Sequence, residues 1–227
     1  MKKKNFYLKK ISKRGKIDIW IVDGNKIRSN LDKEFTNFGH HFLFKYIPEY
    51  EFWLDKEATP NERHFFISYL LTEWQLQKNG MLHKKARAIA KRKERAERKK
   101  SEDFQKIIKK GEKKLMSRIH IRLLHKIKDI SIWLVAGKYV RSAFDLDFTE
   151  GGHDYVYKYV PKKEVWIDND LQEIERPYVV LHELYERSLM KKGLNYNEAH
   201  RRSSQLEWVC RHNEKLLKKN LDSLGWK

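Results

Sequence analysis

Residues 17–55, IDIWIVDGNKIRSNLDKEFTNFGHHFLFKYIPEYEFWLD, decide the fold, because they recur at residues 130–168 as ISIWLVAGKYVRSAFDLDFTEGGHDYVYKYVPKKEVWID. The match runs without a gap from residues 11–94 to residues 124–207, with about a third of the positions identical. The matched pairs include Trp20/Trp133, Gly24/Gly137, His40/His153, Trp53/Trp166 and Asp55/Asp168. A gapless match over mixed residue types predicts one fold that occurs twice in the chain.

Each copy has the pattern of a small sheet followed by two helices. Residues 16–23 are rich in Ile, Val and Trp and predict a strand, and Asp23-Gly24-Asn25 predicts a turn into a return strand at 26–29. Glycines precede the strands predicted at 41–46 and 154–159, and further strands are predicted at 50–55 and 163–168. A helix should begin at Pro60, end near Asn79, and be followed by a second helix after Gly80. The predicted class is α+β, a tandem duplication of a small antiparallel sheet followed by a helical hairpin.

The segment between the copies is strongly basic. Residues 84–100 contain ten Lys or Arg and two Glu, with neither Pro nor Gly, which favours a helix. We therefore expect a long basic helix, weakened at Gly111, and a basic helical linker at 95–123. This linker joins a first, degenerate repeat at 1–94 to a second repeat at 124–227. The residues expected to face nucleic acid are Lys84, Lys85, Arg87, Lys91, Arg92, Lys93, Arg95, Arg98, Lys99 and Lys100.

The whole chain is basic as well. Its 227 residues carry 50 Lys and Arg against 31 Asp and Glu, a formal net charge of +19 and a pI near 9.8. This balance favours polyanionic partners, nucleic acid first and an anionic membrane second, although a lysine-rich proteome would give the same composition. The sequence has no zinc-finger or RNA-binding aromatic signature, so we expect salt-sensitive binding to the nucleic-acid backbone.

The remaining composition limits the location of the protein. Cys210 is the only cysteine, which excludes a disulfide within the chain and a zinc site built from cysteines. No apolar run approaches the ~20 residues of a membrane span, so we expect no membrane partner. The basic start MKKKNFYLKK lacks the apolar core of a secretory signal. We therefore expect a cytoplasmic protein or, for a viral one, the host-cell cytoplasm or the virion interior.

The candidate site lies in residues 179–200, VVLHELYERSLMKKGLNYNEAH. His182 and Glu186 are four residues apart in an apolar helical pattern, so they lie on the same helix face. Gly193 should end this helix, and Asn195 should cap the next one. His200 would then face the first helix across a tight corner. The pattern predicts that imidazoles and carboxylates converge from two antiparallel helices.

The sequence HELYE at 182–186 resembles the His-Glu-x-x-His helix of zincin metallopeptidases. In that family the helical pair binds zinc, and the glutamate after the first histidine is the general base. Here the second ligand would be Glu186 and the third His200, an order that differs from the zincin order. The resemblance implies that His182, Glu186 and His200 hold Zn²⁺ or another divalent metal, with Glu183 as the catalytic base of a hydrolase.

The second copy as a whole resembles a family of uncharacterised viral and microbial proteins. The resemblance is carried by GGHDY, VWID, LHELYER and YNEAH, at residues 151–155, 165–168, 181–187 and 196–200. It covers the entire module and implies no established activity.

The duplication supplies an internal comparison for the candidate site. The matched residues of the first copy are Tyr69 for His182, Leu70 for Glu183, Glu73 for Glu186 and Arg87 for His200. Three interpretations follow. In the first, the second copy alone carries a metal and the first copy is degenerate. Alternatively, Glu186–His200 and Glu73–Arg87 are two versions of one structural ion pair in a non-enzymatic nucleic-acid-binding or virion protein. The third interpretation is an acid/base site without metal.

Two further residues are candidates for an additional ligand or for a supporting contact. His153 follows Gly152 and is matched by His40, so a structural role shared by both copies is the simpler interpretation. Glu207 lies seven residues after His200 and could orient that imidazole, or it could be a surface carboxylate.

Overall fold

The computed structural model describes residues 6–102, 104, 105 and 112–226. The chain forms two compact units. The first comprises Met1–Ile27 and Phe35–Gly111, and the second comprises Arg28–Glu34 and Glu112–Lys227. A short segment of the first sequence repeat, Arg28–Glu34, therefore folds as part of the second unit.

The two repeats share four strands and three helices in the same order, and among the described residues one further helix precedes the second sheet and another follows the last shared helix. In the first repeat these are β1 (Tyr7–Arg14), β2 (Ile17–Val22), α1 (Gly24–Asn30), β3 (Phe38–His40), β4 (Glu51–Asp55), a 3-10 turn (Pro60–Glu62), α2 (Arg63–Lys78) and α3 (His83–Lys99). From residue 112 onward they are α4 (Glu112–Ile119), β5 (His120–Ile127), β6 (Ile130–Val135), α5 (Gly137–Ala143), β7 (Gly151–His153), β8 (Glu164–Asp168), α6 (Arg176–Lys191), α7 (Tyr196–Arg211) and α8 (Glu214–Leu224). The α+β class and the tandem duplication are confirmed.

Each sheet is mixed, whereas the sequence pattern suggested antiparallel strands throughout. The strand orders are β1-β2-β4-β3 and β5-β6-β8-β7. In each sheet the two central strands pair in parallel, β2 with β4 in the first and β6 with β8 in the second. The outer strands are antiparallel to their neighbours. Parallel neighbours require a long crossover. The chain between β2 and β4 provides it, and this stretch contains α1 and β3.

Several predicted elements need correction. The return strand expected at 26–29 is part of the helix α1, and the strands expected at 41–46 and 154–159 are turns that follow the three-residue strands β3 and β7. The edge strands β1 and β5 were not predicted. All of their residues are at least partly exposed and their apolar residues do not alternate, so their pattern is weak. The closing helix predicted from about 196 to 223 is divided into α7 and α8, because Asn213 caps a new helix by accepting from the Leu216 amide.

The matched glycines, Gly24 and Gly137, and the matched aspartates, Asp55 and Asp168, share one structural explanation. A Cβ at Gly24 would overlap the carboxylate of Asp55, and a Cβ at Gly137 would overlap that of Asp168. The Gly24 amide donates a hydrogen bond of 3.2 Å to Asp55 Oδ1. The aspartate at the end of the central strand thus sits against the first turn of a helix, where negative charge is favoured, and only glycine leaves room for it.

The core of the second unit positions the candidate site. Apolar residues of β6 and β8 pack against those of α6, and all of them are buried. The central members are Ile132, Val165, Ile167, Val180 and Leu184. Because this apolar face fixes the rotation of α6 on the sheet, the neighbouring face, which carries His182 and Glu186, is fixed as well.

The linker predicted at 95–123 lies partly outside the described residues. Helix α3 ends at Lys99, α4 spans Glu112–Ile119, and residues 120–123 belong to the strand β5. The predicted continuous helix would have to run through residues 103 and 106–111, which lie outside the described residues. Among the helices that the structure does describe, none is long and apolar enough to cross a membrane.

Candidate metal centre

Two helices and a tight corner bring the predicted residues together. Helix α6 carries His182, Glu183 and Glu186, and α7 carries His200. The corner between the helices contains Gly193, whose φ of +96° is disfavoured for residues with a side chain. Asn195 then caps α7 by accepting a 3.0 Å hydrogen bond from the Glu198 amide. These local signals turn α7 back along α6, so that its first turns face the histidine–glutamate pair.

Three ligand atoms form a tight triangle. His182 Nε2 lies 3.4 Å from Glu186 Oε2, His200 Nδ1 lies 2.8 Å from the same oxygen, and the two nitrogens are 3.2 Å apart. A circle through three points at these separations has a radius of about 1.8 Å, so one point can lie about 2.1 Å from all three atoms. That is the ligand distance of a zinc ion. The three side chains form a His/Glu group that could hold a metal ion.

The second nitrogen of each imidazole faces a carboxylate. His182 Nδ1 lies 2.9 Å from Glu207 Oε2, and His200 Nε2 lies 3.2 Å from Glu34 Oε2. Metal-binding histidines usually donate their other N–H to such a partner, which fixes the ring and its tautomer. Glu207 therefore contacts His182, whereas the sequence suggested that it would orient His200.

Glu207 is itself held by an arginine in the interior of the unit. Arg211 donates to Glu207 Oε1 from Nε at 2.9 Å and to both oxygens of Glu175 at 3.1 Å. Glu175 also accepts a 2.9 Å hydrogen bond from Nε of Arg28, whose side chain is 1% exposed. A chain of charge-assisted hydrogen bonds thus runs from the core of the unit to His182.

His153 supports Glu186 from the sheet. Its Nδ1 accepts a 3.2 Å hydrogen bond from the Tyr155 amide, so the ring proton lies on Nε2. Nε2 then donates to Glu186 Oε1 at 3.1 Å. A protonated nitrogen cannot bind a metal, so this geometry favours the supporting role for His153 over that of an additional ligand. His40 has the same backbone contact in the first unit, from the Phe42 amide at 3.3 Å.

Glu183 lies beside the triangle. One of its oxygens is within 4.8 Å of ligand atoms of His153 and Glu186, and the side chain packs next to Gly151, where a Cβ would lie 3.2 Å from Glu183 Cγ. Burial raises the pKa of Glu183 to about 7, although the neighbouring imidazoles oppose this rise. A carboxylate with such a pKa can accept a proton near neutral pH.

The pKa values of the three proposed ligands are also strongly shifted. Burial would raise the pKa of Glu186, but the hydrogen bonds from three imidazoles outweigh it and hold that pKa well below its usual value. Hydrogen bonds to Glu186 and Glu34 raise the pKa of His200 to about 9. Burial opposes charge on His182, yet its bonds to Glu186 and Glu207 raise its pKa well above the usual value. His182 Nε2 and His200 Nδ1 are 3.2 Å apart, so protons on both nitrogens would repel each other. A cation between them would instead accept a lone pair from each.

The matching position in the first unit is arranged differently. Glu73 is fully buried and lies 3.3 Å from His40 Nε2 and 3.4 Å from His83 Nδ1. The interhelical pair Glu73–Arg87 expected from the sequence is not among these contacts. His83 matches Tyr196 of the second repeat, so the imidazole near Glu73 comes from one helical turn earlier than His200 does. The triangle of ligand atoms found in the second unit has no counterpart among the described residues of the first.

Most of the predicted nucleic-acid-binding residues are accessible on α3. Lys91 is half-buried and eight others are exposed, namely Lys84, Lys85, Arg87, Arg92, Lys93, Arg95, Lys99 and Lys100. Arg98 is the exception, because its side chain is 2% exposed and forms ion pairs with Glu62 and Glu94. Its inclusion in the basic surface was wrong: it is a structural arginine, and it matches Arg211 of the second repeat.

Four residues of this centre were not predicted from the sequence, namely Arg28, Glu34, Glu175 and Arg211. A signal for two of them was present, because Glu62–Arg98–Glu94 repeats as Glu175–Arg211–Glu207 at the same spacing. Comparison with known proteins adds no assignment, since no protein-family model, no curated protein and no solved structure matches the chain. The resemblances to zincins and to the viral and microbial family therefore stay predictions.

Proposed function

We propose that the second unit binds a divalent cation, zinc in the first place, through His182, Glu186 and His200, and uses it in a hydrolytic reaction. One observation carries the proposal: three ligand atoms from two helices surround a single point, and each imidazole has its other nitrogen on a carboxylate. Two histidines and a glutamate are a suitable ligand set for a catalytic zinc, which keeps a further coordination position for water or substrate.

Each residue then has a role that follows from its contacts. Zinc would supply a Lewis acid that polarises a carbonyl group or a water molecule. Glu183 would accept the proton of the attacking water, because it lies beside the ligands and has a pKa of about 7. His153 would hold the second oxygen of Glu186, so that Oε2 stays directed at the metal.

The test is the zinc content of the purified 227-residue chain. We expect one equivalent of zinc to remain after dialysis and to be removed by a chelator, with a fall in the melting temperature. Protein that never retains zinc, cobalt or manganese, and that melts at the same temperature with and without chelator, would show that the cluster is a structural group of ion pairs.

The stabilisation that zinc provides should depend on pH. In the metal-free protein His200 has a pKa of about 9, and that of His182 is also raised, so zinc must displace protons from these rings. Ion pairing of a protonated His200 stabilises the metal-free fold below about pH 6.5 and is lost as the pH rises through 9. We therefore expect the melting-temperature increase caused by zinc to grow from pH 6.5 to pH 9. An increase that is constant over this range would argue against ligation by these imidazoles.

A second candidate function, binding of nucleic acid through α3, is supported by the exposure of its basic residues. We expect the variant with Gln at Lys91, Arg92, Lys93 and Arg95 to bind duplex DNA more weakly. Each phosphate contact that is lost should reduce the slope of log affinity against log salt by about 0.9. The matched control has Gln at Lys191, Lys192, Lys218 and Lys219, which removes four exposed positive charges that lie outside α3. A slope that is unchanged in the fourfold variant of α3 would exclude α3 as the binding surface.

A further inference from the structure

The segment Arg28–Glu34 contacts a proposed metal ligand at its end and residues that support the other ligands at its start. It belongs to the first sequence repeat, yet it folds as part of the second unit. At its end, Glu34 Oε2 lies 3.2 Å from His200 Nε2. At its start, Arg28 lies 2.9 Å from Glu175 and, through Nη1, 2.9 Å from Glu150 Oε1.

Each contact leads to a different histidine of the proposed ligand triangle. Glu34 reaches His200 directly. Arg28 reaches His182 through a series of buried groups, because it holds Glu175, Glu175 holds Arg211, Arg211 holds Glu207, and Glu207 accepts from His182. The side chains in the interior part of this series are almost inaccessible, with exposures of 1% for Arg28, Glu175 and Arg211. They therefore have little freedom to adopt other arrangements.

We infer that Arg28–Glu34 is a positioning segment, which fixes the orientation of both imidazoles so that His182 Nε2 and His200 Nδ1 point at the metal. This inference rests on the proposed function and adds to it the role of a part of the chain outside the second repeat. It assigns a role to the first repeat even though Tyr69, Leu70 and Arg87 stand where the second repeat has His182, Glu183 and His200.

The charges of the segment suit this role. A carboxylate behind an imidazole increases the electron density on the opposite nitrogen and so strengthens its bond to a cation. His182 has Glu207 in that position, and without Glu34 the described part of the second unit would offer no carboxylate to His200 Nε2. The two ligands would then differ in both orientation and basicity.

The experiment compares zinc affinity among full-length variants, by competition with a chromophoric chelator, and measures the melting temperature of each metal-free protein. In Glu34→Ala we expect the zinc dissociation constant to rise ten- to hundredfold. Its metal-free melting temperature should change little, because the Glu34 side chain is 48% exposed. Glu34→Gln keeps a hydrogen-bond acceptor without the charge, and should recover part of the affinity. Lys33→Ala, in the same segment, is the matched control and should bind zinc like the wild type.

The outcomes separate this inference from the function on which it rests. A wild type that binds zinc, with a Glu34→Ala variant that binds it equally well, overturns the positioning role and leaves the metal site in place. A wild type that binds no zinc at all overturns the metal site itself. A parallel loss of affinity in Glu34→Ala and Lys33→Ala would show a general effect of altering the segment, and would also overturn the inference.

Discussion

Replacing His200 with arginine should abolish zinc binding and lower the melting temperature of the zinc-loaded protein to that of the chelator-treated wild type. Arginine cannot ligate zinc, and its fixed positive charge would lie against the cation. A ligand that binds only the folded state stabilises it by about 4 kcal/mol at a thousand times its dissociation constant. For a chain of this size that corresponds to a loss of roughly 10 °C. The measurement is thermal unfolding with zinc and with chelator, for wild type and variant.

Arginine at this position also tests the rival interpretation. If Glu186–His200 is only a structural ion pair, arginine preserves the positive charge beside Glu186. The free energy of unfolding should then change by less than about 1 kcal/mol, with no response to chelator in either protein. His212→Arg is the control, since His212 is exposed at the end of α7 and its ring contacts the Trp208 carbonyl. Equal melting of wild type and His200→Arg under all conditions would eliminate the zinc proposal.

The parts of this fold that the sequence predicts are those set by local chemistry. The spacing of His182 and Glu186, the corner at Gly193 and the cap at Asn195 are all short-range signals, and the structure contains each of them. The gapless repeat predicted two copies of one α+β unit because both copies must satisfy the same packing. These signals were sufficient to predict that imidazoles and carboxylates converge from two antiparallel helices.

The parts that were missed depend on contacts between distant residues. Nothing in β2 or β4 alone distinguishes parallel from antiparallel pairing, because both strands are mostly buried and mostly apolar. The helix α1 depends on Asp55, which lies 31 residues beyond Gly24. Glu34 is 166 residues from His200, so no local pattern connects them. The structure is needed wherever one residue's role is decided by a partner from another part of the chain.

Both repeats share one histidine–glutamate pair but differ at the other positions of the candidate site. The pairs His40–Glu73 and His153–Glu186 occur at matched positions, and each histidine accepts from a backbone amide two residues further on. This pair therefore belongs to the fold. The metal proposal also requires His182, Glu183 and His200, and these are positions at which the repeats differ.

Replacing Arg211 with methionine should both destabilise the second unit and weaken its zinc binding. Arg211 is 1% exposed, donates to Glu175 and Glu207, and lies over the ring of Tyr178. Removing one partner from a buried ion pair typically costs about 3–5 kcal/mol, because charges are left in the interior without compensation. Glu207 would also lose the group that holds it against His182. We therefore expect the zinc dissociation constant to rise roughly ten- to hundredfold.

The first repeat supplies the matched control for this prediction. Arg98 occupies the same position, forms ion pairs with Glu62 and Glu94, and is buried to a similar degree. Arg98→Met should therefore destabilise the first unit by a comparable amount, yet leave zinc affinity unchanged, because the residue matching His182 is Tyr69. The measurements are the free energy of unfolding in urea and the zinc affinity of both variants. If Arg211→Met loses stability but binds zinc as tightly as Arg98→Met, the buried arginine serves the fold alone, and Glu207 does not need it to hold His182.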